Sequence, residues 1–184
     1  YEKDPKNKSV TIIRPSVIFG ERNRGNVYNL LKQICSGNFL MIGSGENKKS
    51  MAYVDNIVEF IKHTLEKQEK GMHIYNYADG PDYTMNDLVS VVENKMNTSV
   101  PKIRIPYWLG LIIGYLFDFL AVVFKRNFSI SSVRVKKFCA TTQFNSKKVK
   151  LSFKAPTSLK KGIEITLDKE FINKNNDNVV FYSE

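Results

Sequence analysis

Histidine, cysteine and tryptophan are nearly absent from this 184-residue chain, at two, two and one. Cys35 and Cys139 cannot build a disulfide framework and have no metal-ligand spacing around them, which suits a reducing compartment. His63 and His73 have no partner at ligand spacing, and neither His-Glu-x-x-His nor Cys-x-x-Cys occurs, so no metal site is expected. Acid is scarce relative to base: 28 lysines and arginines against 18 acids leave a net charge of +10, which invites an anionic partner. No apolar targeting segment opens the chain, which begins at Tyr1 with polar YEKDPKNKS; secretion has no support and a cytoplasmic location is expected. Apolar residues nevertheless make up 42%, enough to fill a core and to exclude wholesale disorder. The length fits one domain or a piece of a larger one.

Periodicity then sorts the chain into elements. VTIIR (10–14), ending at Pro15, is a short unbroken apolar run of the kind found in strands buried on both faces. Val27, Leu30, Leu31, Ile34 and Cys35 recur at helical spacing and stop at Gly37. FLMIG (39–43), MAYV (51–54) and HIYNY (73–77) read as further strands. Asp55 is placed to cap a helix carrying Ile57, Ile61 and Leu65. Thr84, three residues before Asp87, resembles a capping box opening a helix with Leu88, Val91, Val92 and Met96. Short helices are expected from Asn145 or Ser146 and from Ser158, and residues 173–184 read as a poorly ordered tail. Strands alternating with helices predict an α/β fold with some parallel sheet. The visible strands are too few to flank VTIIR, so part of the sheet is expected to lie outside this chain.

Ile105–Phe124 is a 20-residue apolar run with one charge, Asp118. About 20 residues suffice to cross a bilayer, but a carboxylate near the centre costs roughly 2.5–3.5 kcal/mol even on the permissive insertion scale. One or two buried helices are the plainer reading. A face lying on the membrane, with Tyr107, Trp108, Lys125 and Arg126 as anchors, is the second, and a span is disfavoured.

Chemistry is sparsely signposted. Gly43-Ser44-Gly45 follows a strand, yet a dinucleotide fingerprint needs a third glycine where Lys48 stands and a helix directly after. A tight turn is the simpler reading. Lysines come in scattered pairs rather than in one stripe, which speaks against nucleic acid. Arg22, Arg24 and Lys49, by contrast, sit in loops between elements of an α/β chain. Such loops at strand ends are where ligands bind, and cations there suit a small phosphorylated ligand.

The order of four segments carries a resemblance. TIIRPSVIFGE, RGNVYNLL, FLMIGSGENKKSMAYVDNIVEFI and FNSKKVKLSFKAPTSLKKGIEITL together resemble the C-terminal portion of an extended short-chain dehydrogenase/reductase. The closest likeness is to NAD-dependent nucleotide-sugar epimerases and dehydratases of the UDP-glucose 4-epimerase type, over most of residues 9–172. The resemblance implies the C-terminal remainder of a Rossmann-type parallel sheet plus a small mixed substrate-binding subdomain over 1–172. It also implies NAD as cofactor, a UDP-linked sugar as substrate, a homodimer, and a peripheral membrane contact through 105–124. The family's catalytic Tyr-x-x-x-Lys is absent, with Tyr1 falling just beyond it, so no catalytic residue is assigned, and this chain alone is expected neither to bind NAD nor to turn over substrate.

Position by position, the resemblance puts Pro15, Ser16 and Val17 against the nicotinamide, with Val17 also facing the sugar. It puts Asn26 and Val27 on the nucleotide diphosphate beside the loop cation Arg24. A helix N-terminus suits that role, because its unpaired N–H groups attract anions. Leu40 and Ile42 match the base pocket, Lys49 stands where the family often has an Arg, and Arg134 matches a second phosphate-binding Arg. Lys49 keeps the charge without the bidentate fork, and Phe138 and Cys139 stand where the family's Arg-x-x-Asp needs an acid. The long apolar insert looks more like the 3β-hydroxysteroid dehydrogenase relatives, which keeps a sterol or a lipid-linked sugar open as substrate. A non-catalytic basic module binding anionic surfaces is the alternative from another class.

Overall fold

The protein is described by a computed structural model over residues 4, 8–67, 70–126, 128, 130–173 and 180–182. In chain order the elements are β1 (Ser9–Pro15), β2 (Val17–Phe19), α1 (Asn26–Cys35), β3 (Met41–Ile42), β4 (Lys48–Lys49), β5 (Met51–Tyr53), α2 (Val54–Lys67), β6 (Gly71–Tyr77), β7 (Tyr83–Thr84) and α3 (Met85–Met96). There follow β8 (Arg104–Ile105), α4 (Tyr107–Phe124), α5 (Ser132–Cys139), α6 (Lys147–Ser152), α7 (Leu159–Leu167) and a π-helical turn, Asp168–Ile172.

The β-branched run of β1 pairs in parallel with β6, Ser9 opposite Gly71 through Pro15 opposite Tyr77. After Ser16 the same extended segment continues as β2 and pairs in parallel with β5. β3 runs parallel to β8, and β4 antiparallel to β7. This is the expected α/β class. Burial of β1 on both faces is not what the structure shows: Ile12 and Ile74 remain 36% and 39% exposed. Among the described residues only β6 pairs with β1, and the face holding these two side chains is uncovered.

Most of the apolar side chains that fill the core come from helix faces. Val27, Leu31 and Ile34 of α1, Leu88, Val89 and Val92 of α3, and Leu159, Ile163 and Leu167 of α7 bury together with Phe19 and Tyr53. A second, aromatic cluster joins Phe60, Tyr75 and Tyr77 with Val149. Thr84 and Asp87 form the expected capping box, each accepting the other's backbone N–H at 3.0 Å. Ser158 likewise caps α7, accepting from the Lys161 N–H at 3.3 Å.

Three further expectations change. α2 begins at Val54, so Asp55 lies in its first turn rather than at the cap; its buried face is Asn56, Ile57 and Phe60, while Ile61 and Leu65 point outward. FLMIG contributes only Met41–Ile42 as strand. The apolar run forms one helix, α4, and it is not buried: only Gly110 and Gly114 are. Their lack of side chains lets α5 close against that stripe, which turns the bulky residues outward. The tail falls mostly outside the described residues; within them, Phe181 bridges in parallel to Asn23.

Candidate functional site

Two groups of the expected residues emerge, held by different elements. The first follows the ends of β1 and β2. Ser16 sits between them, its N–H donating to the Tyr77 carbonyl at 2.8 Å, while its hydroxyl is buried without a hydrogen-bond partner among the described residues. Pro15 and Val17 on either side are exposed. The loop that follows leads into α1, whose first turn has no side-chain cap; Asn26 is exposed there and Val27 is buried in the core. The Asn23 carboxamide accepts from the Gly25 N–H at 3.0 Å and donates to the Ile18 carbonyl at 3.2 Å, which fixes the approach to the helix. Arg24 is engaged within the protein. Its guanidinium pairs with the buried Glu170 of the π-helical turn and lies 4.2 Å from the centre of the Tyr28 ring, which stacks on Phe171 at 5.3 Å.

The second group surrounds an open cleft of about 480 Å³ between β3, the start of α4 and the end of α5. Ile42 lines it, and Leu40 lies nearby in sequence, 44% exposed. Lys49 points its ammonium at the last turn of α5, donating to the carbonyls of Lys137 at 2.8 Å and Ala140. Burial chiefly holds the Lys49 pKa below its ordinary value. Cations at a helix C-terminus stabilise its unpaired carbonyls, so Lys49 fastens α5 to the strand side. Asn47 helps by donating to the Phe138 carbonyl at 2.8 Å, and the Cys139 thiol reaches the Ile42 carbonyl at 3.4 Å. Arg134 stands in the first turn of the same helix, exposed.

Gly43 and Gly45 both take positive φ, 79° and 75°. The carbonyls of this loop are taken up by the Asn86 side chain and N–H and by Arg104. The loop is therefore a turn clasped by its neighbours, as the simpler reading expected.

Three residues escaped the sequence reading. Tyr107 and Lys136 line the cleft; in sequence one suits a membrane anchor and the other belongs to one of the scattered lysine pairs, and no spacing links them. Asp79 is buried past the end of β6 and accepts from the Tyr53 N–H at 2.7 Å and from Asn56 and the Tyr77 hydroxyl at 3.0 Å each. Burial, the largest influence, raises its pKa against these hydrogen bonds. In sequence, Asp79 opens DGPD (79–82), a turn signal, and nothing in that tetrapeptide shows an inward carboxylate.

Residues 2–78 match the family model described as the NAD dependent epimerase/dehydratase family. Over its whole length the chain is 55% identical to the N-acetyl-alpha-D-glucosaminyl-diphospho-ditrans,octacis-undecaprenol 4-epimerase of Escherichia coli O157:H7, covering 56% of that protein. Residues 2–78 thus carry the pattern of the epimerase/dehydratase family. The chain is also 32% identical over 129 residues to the decarboxylating sterol-4-alpha-carboxylate 3-dehydrogenase of Mus musculus, which takes in 65% of this chain and 35% of that one. Among solved structures it shares its fold with the UDP-glucose 4-epimerase of Thermotoga maritima, determined with UDP-glucose, at a TM-score of 0.54 and 18% identity over 86% of this chain and 44% of that one. The chain thus spans about half the length of the relatives it matches.

Proposed function

We propose that this chain is the substrate-binding part of an NAD-dependent 4-epimerase acting on a hexose carried by a diphosphate, with the lipid-linked form as its substrate. The observation that carries the reading is the 55% identity to a lipid-diphosphate-sugar 4-epimerase along the entire chain, α4 included. An open cleft of about 480 Å³ beside the start of α4 supports it, with Lys136 and Tyr107 in its wall. A cation and a phenol suit a diphosphate and a sugar hydroxyl.

On this reading bound NAD would supply reversible hydride transfer at the sugar carbon, chemistry that amino-acid side chains do not offer. The residues of this chain bind and orient. Ser16 offers a buried, unpartnered hydroxyl at the end of a parallel strand, where α/β sheets take their ligands. Such an orphaned polar atom fits the carboxamide edge of a nicotinamide, with Pro15 and Val17 flanking it. Asn26 and the uncapped turn of α1 offer donors to a diphosphate. Leu40 and Ile42 give apolar contact, Lys136 supplies cleft charge, and Arg134 lies on the same helix. Lys49 acts through α5, whose end it holds, and Arg24 through the loop it ties to Glu170. The protein works on the cytoplasmic side with a peripheral membrane contact through α4, because a polyprenyl substrate does not leave the bilayer.

The sterol reading is favoured by one observation, the likeness to the mouse dehydrogenase combined with the exposed apolar helix. A single assay separates the two. The complete protein is incubated with NAD and either N-acetylglucosaminyl-diphospho-polyprenol or a 4-carboxysterol, and the sugar is released to read its configuration at C4. Inversion at C4 is expected. NADH accumulation with the sterol and an unchanged sugar would overturn the proposal.

A further inference from the structure

Charge is unevenly distributed along the chain. From Asn94 to Ile163 stand fourteen lysines and arginines and a single acid, Asp118, while the rest of the chain carries a small negative excess. This basic stretch is the one that contains α4.

α4 has two sides of opposite character. Gly110, Gly114 and Asp118, spaced by four, form one stripe against the protein. A Cβ at Gly110 would stand 2.7 Å from Ile42 Cγ2, and one at Gly114 2.7 Å from the Ser132 backbone. The Asp118 carboxylate accepts from the Ser132 N–H at 3.2 Å, at the N-terminus of α5, where a negative charge is favoured. The only acid on the helix is thus turned inward and compensated. Around the remaining circumference Trp108, Ile112, Leu116, Phe119, Val122 and Val123 are each more than half exposed. Soluble proteins rarely leave a contiguous apolar surface of this extent open to water.

Cations border that surface. Lys125 and Arg126 follow the helix directly and are exposed. On α5, Arg134, Lys136 and Lys137 are exposed as well, and Lys136 donates to the Tyr115 hydroxyl at 2.9 Å, at the edge of the apolar face. Resting on the reading that the protein contacts a membrane, we propose that the partner is an anionic leaflet. α4 lies along the headgroup–acyl boundary, with Lys125, Arg126, Lys136 and Lys137 on lipid phosphates. An apolar helix flanked by lysine and arginine binds through buried area and attraction to anionic lipid together.

The same geometry disfavours the other occupants. A second copy laid on α4 would bring two basic borders face to face. A transmembrane orientation would carry Asp118 and the α5 N-terminus into hydrocarbon, since both are packed on the glycine stripe. In the flat orientation the cleft at Tyr107 opens at headgroup level, where a diphosphate on a lipid stands.

Trp108 is the only tryptophan, so its emission reports this helix alone. The test titrates the protein, without substrate or NAD, with vesicles of phosphatidylcholine alone or with phosphatidylglycerol, including brominated-acyl lipids. A blue shift and bromine quenching are expected with the anionic vesicles. Affinity should fall about tenfold or more in neutral vesicles, in high salt, or in the Lys125→Glu, Arg126→Glu double variant. Both substituted side chains are exposed, and an unchanged circular dichroism spectrum confirms the fold. Equal, salt-independent binding to both vesicles would overturn anionic docking while leaving the membrane contact standing. Unaltered Trp108 emission with both would overturn docking and contact alike, and dimer formation in sedimentation would then assign the face to a second copy. Resistance to carbonate extraction would overturn the flat orientation in favour of a span. None of these outcomes depends on turnover, so the epimerase chemistry stands or falls separately.

Discussion

Helices α3 and α4 show how differently one chain can use apolar residues. α3 has 12 residues, starts at a reciprocal cap and buries Met85, Leu88, Val89, Val91 and Val92, with polar residues on its other side. α4 has 18 residues, starts at Pro106 without a side-chain cap and buries two glycines. Amphipathic spacing in α3 states which side is inward, and the rest of the chain supplies a partner for it. α4 is apolar nearly all round, and composition alone says neither which side meets the protein nor what meets the others. Core helices such as α3 and α7 derive their stability from packing within the chain; α4 carries apolar surface that the described residues leave uncovered.

This contrast can be broken most forcefully by truncation. Ile163 on α7 is fully buried in the cluster that α3 helps to form, so Ile163→Ala should cost about 2–5 kcal/mol of unfolding free energy in urea. Val122→Ala on α4, where the side chain is 77% exposed, should stay within about 0.5 kcal/mol in the same titration. Similar losses at both positions would mean that α4 is buried in solution. Next in size, Gly114→Val forces a branched side chain against the Ser132 backbone and should cost about 1–3 kcal/mol. Trp108 emission would shift as α4 moves off α5; an unperturbed spectrum and stability would remove the glycine stripe from the account. Thr84→Ala deletes one half of the α3 capping box and should cost about 1 kcal/mol by thermal unfolding. The smallest effect is chemical. Burial pushes the Cys35 thiol at the end of α1 up to about 11. With the folded pKa above the unfolded one, its contribution to stability is full below pH 9 and is lost as pH rises towards 11. Iodoacetamide labelling of Cys35 in a Cys139→Ser background should reach half its maximal rate near pH 11 in the folded protein; a midpoint near 9 would show the thiol to be open to water.

The same contrast explains what was legible from residues alone. α1, α3 and α7 were readable because caps and 3.6-residue spacing are local, and the parallel pairing of β1 followed from its apolar run. The outward side of α2 was misjudged because Ile61 and Leu65 share an apolar spacing with Ile57, while Phe60 and Asn56 took the inward positions through contacts distant in sequence. Nothing in the apolar run singles out the glycines of α4, which form its contact with α5. At the candidate site the resemblance names Ser16 and Ile42, and the fold buries the Ser16 hydroxyl and sets Ile42 in the wall of the cleft. The engagement of Lys49 with the end of α5, the pairing of Arg24 with Glu170 and the inward Asp79 depend on partners 88 or more residues away in the first two cases and on burial in the third. No spacing within one segment encodes such pairings.

The central claim is that the cleft beside α4 serves a diphosphate-linked sugar presented from a lipid. Its most direct measurement is the ratio of kcat/KM for lipid-diphosphate and nucleotide-diphosphate forms of the same sugar. The ratio is taken on the complete protein in anionic vesicles and on its Phe119→Ser, Val122→Ser double variant. We expect the unaltered protein to favour the lipid-linked form, and the variant to lose that preference about tenfold or more through KM while its rate on the nucleotide-linked sugar stays unchanged. An unaltered ratio in the variant, or a preference for the nucleotide-linked sugar in the parent protein, would contradict the account.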